Sequence, residues 1–496
     1  MIRRINLSLL GLLFSLTVVL PAAARDEYTR HFDKTIRMSS GEGLRLEHTF
    51  GSVTIRTHSG PDAVIHADIR VSASDASQAK QYADQVEIEI ESSSQLSIRT
   101  KYPNSPKSFF GMRNVSFAAQ YEITVPENTP LTIRNSFSEV SVTGVKANCD
   151  IVTSHAQLSF DNGRGTQRLE DSFAKIELSH NAGNVTVEDS NGAIDASDVA
   201  GSLTVRNRFA ALTLARVSNG LSVINSNGSI DVSDSGGAGD IRNSFGNVSV
   251  ENYRGDIIVN NANGKIDVAS VRGSANLRTT FANISIDKVS GNVIAHANNS
   301  QVSANQVGGS LNVVNSFGAV NLADIRRDVQ VESGNGAVTL EKIGGPAHVK
   351  TSFGMVQADG VNGHFSVENS NGSVKASSIK GADVTTSFGS VSLDDVAGPI
   401  QVNNQNGSVD VTNSLRGSCA PIAVHTSFSA VRVHLPDDAS YRVAAKTSFG
   451  RIHSDFPMTV SGSLSNDDIS GTIGGGRCDL RISDSNGSIE ILKGGS

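Results

Sequence analysis

The chain has no tryptophan, 5% aromatic and 18% charged residues, and an apolar fraction of 38% that lies below the usual globular share. With 47 glycines and abundant asparagine and serine, this balance points to many short turns between strands rather than to helices. Recognisable catalytic signatures are missing too: there is no Gly-x-Ser-x-Gly elbow, no His-Glu-x-x-His and no P-loop. The calcium-binding pattern Gly-Gly-x-Gly-x-Asp is absent, and Gly474 to Gly476 read as a turn rather than a phosphate cradle because no helix follows. Nor is there an excess of positive charge. The formal charge is −7, and −9 once Arg3 and Arg4 are removed with the leader, so nothing draws the chain to nucleic acid or anionic lipid.

The leader is legible in the first residues. Arg3 and Arg4 precede an apolar run from Ile5 to Leu20, followed by Pro21 and the small residues Ala22 to Ala24, the layout of a secretory signal peptide over residues 1–24. The run is short for a membrane span and no cysteine follows it, so the expectation is an exported chain beginning near Arg25, without a membrane span or lipid anchor. Its location is then the periplasm, the outer surface or the extracellular space. Of the three cysteines, Cys149 stands at a core position of the repeat and reads as a small buried hydrophobe. Cys419 and Cys478 flank the irregular C-terminal part, where an oxidising compartment permits a bridge between them.

What the chain does have is a repeat. Leu203 to Val232, LTVRNRFAALTLARVSNGLSVINSNGSIDV, states one pattern twice, eighteen residues apart. Bend residues follow at that spacing from Phe137, His155 and Phe173 through Asn191, Phe209, Asn227, Phe245, Asn263, Phe281, Asn299, Phe317, Asn335, Phe353 and Asn371 to Phe388 and Asn406, with one interval of 17. Three positions beyond every bend stands an aliphatic, and two further on usually another, so each segment has the period of a strand. A unit this small cannot bury two faces alone. Stacked identical rungs can, pairing at about 4.8 Å and building one apolar column. The fold class is therefore all-β, a single-stranded parallel β-helix of about sixteen regular rungs over residues 131–415, with an irregular C-terminal cap at 416–496.

Residues 25–130 read as a β-rich N-terminal cap. LRLEHTFGSVTI (Leu44 to Ile55) already carries the repeat with Phe50 at its bend, while Ser74 to Gln85 predicts one short helix with a serine N-cap. Two residues before each bend the chain favours Asn, Thr or Asp, as at Asn207, Asn225, Asn243 and Thr279; such groups can tie the bend and hydrogen-bond to their copies in adjacent rungs. By parity with Leu203, Val205 and Asn207, the bend phenylalanines are expected to point inward.

FGSVTI (Phe50 to Ile55), YEITVP (Tyr121 to Pro126) leading into LTIRNSFSEVSV, the small-x-aliphatic-x-aliphatic rungs, and HLPDDASYRVAAKTSFGRI, GTIGGG and LRISDSNGSIEI near the end together resemble the adhesin-like β-solenoid family of exported bacterial proteins. That group has no assigned activity and is akin to the heads of autotransporter adhesins. The resemblance covers essentially the whole chain after the leader, although the strict Phe/Asn alternation departs from the family. It implies a right-handed single-stranded β-helix and offers no catalytic residues to carry over.

Two constellations could carry chemistry. Asp195, Asp231, Asp267 and Asp410 occupy equivalent outward positions, but Ser303, Thr339 and Lys375 break the series, and two rungs, about 9.6 Å, is too far to share an ion. His425, His434 and His453 cluster in sequence, yet nothing in their spacing converges three zinc ligands. No catalytic, cofactor-binding or metal-ligating residue is assigned, and no cofactor. The leading expectation is a non-enzymatic exported adhesin-like protein presenting a repetitive face to a surface, glycan or envelope-protein ligand. The alternatives are an envelope-stress or regulatory component acting through a protein partner and, least favoured, a polysaccharide-cleaving β-helix enzyme.

Overall fold

The computed structural model describes residues 25–103, 115–461 and 465–494; the signal segment at 1–24 lies outside the described residues. About 61% of the chain is strand, wound into a parallel β-solenoid of about 17 turns with about 18 residues each. Leu203–Arg206 and Leu212–Val217 are the two strands of one turn. In the next turn Leu203 lies beside Leu221 and Leu212 beside Ile230, the same register the repeat dictates. Leu203, Val205, Leu212, Leu214 and Val217 are fully buried, so each turn contributes its apolar face to one continuous core while its backbone hydrogen-bonds to the turns on either side.

Two corners shape each turn. At the first, the Asn/Thr/Asp position is buried: Asn207, Asn225, Asn243, Asn261, Asn315, Asn369 and Asn404 each donate from Nδ2 to the bend carbonyl fifteen residues back, as from Asn315 to Ser300 O at 2.9 Å. A bend has backbone carbonyls that no ladder partner reaches, and these amides satisfy them. The expected pairing between copies is replaced by this side-chain-to-backbone bond; among the described residues the copies themselves meet where Thr153 Oγ1 donates to Asp171 Oδ1 at 2.8 Å. Glycine follows several bends because successive turns touch there. A Cβ on Gly264 would lie 1.7 Å from Gly246 O.

The second corner has one residue in the left-handed conformation at the same place in turn after turn, from Gly144 (φ 87°) and Asn162 through Arg216 (φ 54°), Lys288, Gln306 and Lys342 to Asp395. Glycine and asparagine take this conformation readily; arginine, lysine and glutamine do so only when the surrounding stack over-determines it. The residue beyond it turns inward again, as Val199, Val217, Val271 and Val289 do, giving the core a third buried column.

The bend phenylalanines point outward, which overturns the expectation from parity. Phe209, Phe245, Phe281, Phe317, Phe353 and Phe388 are all more than half exposed. The reason is the corner itself: Asn207 and Leu212 both face inward across an odd interval, so alternation must break between them. The buried asparagine fills the inside of the corner and the ring is left outside. Phe160 and Phe365, which lie within strands, are fully in the core.

Antiparallel strands close both sheets of the stack at the N-terminal end and one sheet at the C-terminal end, where Asp468–Ile473 runs against Tyr441–Lys446. At the N-terminal end we number β1 (Asp26–Arg37), β2 (Gly43–Glu47), β3 (Val53–His58), β4 (Asp62–Ala73), α1 (Ala76–Gln85), β5 (Glu87–Ser92), β6 (Gln95–Lys101) and β7 (Ser116–Pro126). β2 and β3 form the first turn and pair with the turn of Phe137. Beyond them one sheet continues as β7, β4 and β1, and the other as β6 and β5, so the edges are antiparallel rather than bare parallel rungs. The helix starts one residue later than the expected serine cap: Asp75 accepts from Gln78 N at 2.9 Å. At the other end the last turn, Cys478–Ser483 and Ile489–Lys493, is out of sequence order. It slots between the turn of Ile422 and Val431 and that of Tyr441 and Ile452.

Candidate functional site

A repeating sequence with one outward ring per two turns produces a stripe along the first corner. From Phe173 onward the spatial order is Phe, Asn, Phe, Asn, and it persists at the reordered end, where Phe428, Asn486 and Phe449 are successive bends although Asn486 is last in sequence. The asparagines between the rings lie low: Asn191 Nδ2 donates to Ser172 O at 2.9 Å, Asn263 Nδ2 to Ser244 O at 3.1 Å and Asn486 Nδ2 to Ser427 O at 3.2 Å. Each thereby leaves a gap between rings about 9.6 Å apart. Toward the N-terminal end the gap is filled instead, because His155 replaces asparagine. Phe50, Phe137, His155 and Phe173 stack in one column with ring-centre separations of 5.6, 5.2 and 4.2 Å.

Beside the stripe runs a polar groove. Between Phe317 and Ser387 it encloses about 630 Å³ and is lined by Ser316, Glu332, Lys350, Ser352, Glu368 and Ser370. A second stretch runs over Ser172, Glu188, Ser190, Arg206 and Ile224. The serines belong to the position just before each bend residue, so hydroxyls recur along the wall that carries the rings. The arrangement offers flat apolar faces, hydroxyl and amide groups, and paired charges, which suits holding an extended amphipathic molecule.

The carboxylates singled out from the sequence do not form a centre. Asp195, Asp231 and Asp267 lie in one outward row, two turns apart, and two of them are neutralised locally: Lys175 Nζ sits 2.6 Å from both Asp195 and Glu177, and Lys265 Nζ 2.7 Å from Asp267. His425 is on the opposite sheet from His434 and His453, which pair separately with Asp410 and Asp455. Cys419 and Cys478 are joined in a disulfide with Cα atoms 6.0 Å apart. Cys149 is buried, and desolvation pushes its thiol up to about 12, so it is an inert part of the core.

One cluster was missed. On the outer face of the N-terminal cap His31, His66 and Asp68 bring ligand atoms within 4.8 Å of one another, with Asp33 beside them. The sequence carried a signal for it, His-x-Asp at 31–33 and again at 66–68, each pair on one face of a strand. The Asp33 carboxylate raises the pKa of His66, and His31 lowers that of Asp68.

The family model Toastrack DUF4097 matches residues 256–492, the C-terminal part of the stack with its closing turns. A crystal structure of a Clostridium sporogenes protein provisionally assigned to cell adhesion aligns over 94% of this chain and 100% of its own, at 9% identity and a TM-score of 0.15, a likeness too weak to argue from. Neither match is named for an autotransporter adhesin head. No curated protein is similar to the chain. Among the described residues no helix is long and apolar enough to cross a membrane.

Proposed function

We propose that this chain is an exported, non-enzymatic binding rod whose ring stripe and adjoining groove hold an extended ligand of a cell surface, matrix or envelope, a linear glycan in the first instance. The observation that carries this reading is the outward placement of the phenylalanines. A ring that contributes little to the core and recurs on every second turn is a standing exposure of apolar surface, and exposed apolar surface arranged in a line marks a binding face. Sugar rings present C–H faces that lie against aromatic rings and hydroxyls that reach serine and asparagine. The two-turn spacing of about 9.6 Å is close to the length of one β-1,4-linked disaccharide, so such a polymer would meet equivalent sites in succession and gain avidity from many weak contacts.

Binding of the chain beginning at Arg25 to arrays of cell-wall, glycan and matrix polymers tests the reading. Expected is retention that grows steeply with polymer length and falls when Phe281, Phe317 and Phe353 are together changed to alanine. Clean negatives across all three classes of array, or undiminished binding by that triple variant, would refute it.

A further inference from the structure

β1 and β4 run antiparallel with His31 opposite Asp68 and Asp33 opposite His66. Because strand side chains alternate, the two His-x-Asp pairs place all four groups on the same outer face. Their distances are ordered. His66 Nδ1 lies 2.6 Å from Asp33 Oδ1, which fixes the proton on Nδ1 and turns Nε2 toward Asp68, whose Oδ1 is 3.2 Å away. His31 Nδ1 reaches that same oxygen at 2.7 Å. The other Asp68 oxygen faces Arg70 Nη2 at 3.7 Å, which keeps Oδ1 directed at the two imidazoles.

We propose that His31 Nδ1, His66 Nε2 and Asp68 Oδ1 bind a divalent transition-metal ion, zinc foremost, with Asp33 orienting His66 and a fourth coordination position open to solvent. Two imidazoles and a carboxylate are the donors a borderline ion such as zinc takes, and three protein ligands leave a place for water or an incoming donor. Around tetrahedral zinc, with bonds of about 2.0–2.1 Å, donor atoms stand about 3.3 Å apart. The three atoms here already lie within 4.8 Å, and both imidazole rings are solvent-facing, so small side-chain rotations complete the site. Asp33 supplies what metal-binding histidines almost always have, a carboxylate on the second ring nitrogen. The ion would join β1, which pairs with β4 alone among the described strands, to the body of the sheet, and so clamp the edge that closes the rod.

Calorimetric titration of Zn²⁺ into the chain beginning at Arg25, with the visible absorption of Co²⁺ as a second readout, tests the site. Expected are one saturable ion per chain and a tetrahedral Co²⁺ band, both lost in His31→Ala and in His66→Ala. Asp33→Asn should weaken binding by about 10–100-fold while keeping the band, as loss of an orienting partner does. The chain has 12 histidines, so His180→Ala serves as the control: His180 is also exposed beside two carboxylates and should leave the titration unchanged. Backbone amides of β1 should exchange more slowly with Zn²⁺ present. A wild-type chain that takes up no stoichiometric ion overturns the proposal, as does undiminished, wild-type affinity in the His31→Ala and His66→Ala variants. Circular dichroism of each variant confirms that it folds, and the wild-type titration decides alone should one fail.

Discussion

Truncating Phe281 and Phe365 to alanine removes the same atoms from two surroundings. Phe281 is 62% exposed at a bend, whereas Phe365 is fully buried within a strand. Burying a whole phenylalanine side chain is worth about 1.5–3 kcal/mol, so the buried third of Phe281 accounts for about 1 kcal/mol or less. Phe365 has Ala347 and Ala382 as its register partners in the two adjoining turns, small residues that cannot close over a lost ring. Its truncation would leave three alanines in a row around an empty volume and cost about 3–5 kcal/mol. Urea unfolding followed by far-ultraviolet circular dichroism, with amide exchange to localise the change along the stack, measures both. The expected result is a loss at least threefold larger for Phe365→Ala, centred on its own turns. Equal losses would mean that the bend rings are core residues after all, and the binding face with them would be an error.

Other expectations follow from the corners and the caps. Asn315→Ala strips the buried carbonyl of Ser300 and the half-buried one of Gly318 of their donor and should cost about 2–4 kcal/mol, whereas Asn315→Thr, the residue found at the equivalent positions 279 and 351, should cost about 1 kcal/mol; equal urea midpoints would deny the amide that role. His48 is buried between Thr100 Oγ1 and Gly51 O, and desolvation lowers its pKa from 6.5 to about 4. The unfolded chain therefore binds this proton first, so the cap keeps full stability above about pH 6.5 and loses about 3 kcal/mol as pH falls toward 4. His48→Gln should flatten that slope in unfolding measured from pH 7 to 4.5, and parallel slopes would exclude His48 as its origin. The Cys419–Cys478 bridge spans 59 residues, and replacing both by serine should destabilise the C-terminal turns by about 2–4 kcal/mol while leaving exchange in the first ten turns unchanged.

The eighteen-residue period made the stack legible without coordinates, because sixteen aliphatics in register have no other use than a shared core. Counting by twos failed at the first corner, since parity carries along a strand but not round a bend, and that single break moved every ring of the stripe from inside to outside. The second corner left no mark at all. Its left-handed position accepts Arg216, Lys288, Gln306 and Lys342 as well as Asn252, so no residue type announces it. The reordered last turn was equally hidden, because LRISDSNGSIEI reads as one more rung and nothing in it tells which neighbours it will choose. The His-x-Asp pairs were visible as short strings, but their meeting depends on which strand lies beside β1, and that is a property of pairing rather than of pattern.

The position of the last turn bears on how the molecule is made. Turns up to Val431–Leu435 can be laid down one on another as the chain emerges, but the turn of Tyr441 and Ile452, whose first strand also pairs with Asp468–Ile473, joins the stack only when Cys478–Ser483 and Ile489–Lys493 have arrived. Until those two strands arrive, the growing tip stays open, with unpaired backbone that another copy could occupy. Insertion of that turn thus acts as the stop signal for elongation of the stack. A chain that lacks Cys478–Lys493 would be left as a seed for end-to-end fibres, because nothing would then join the turn of Ile422 and Val431 to that of Tyr441 and Ile452.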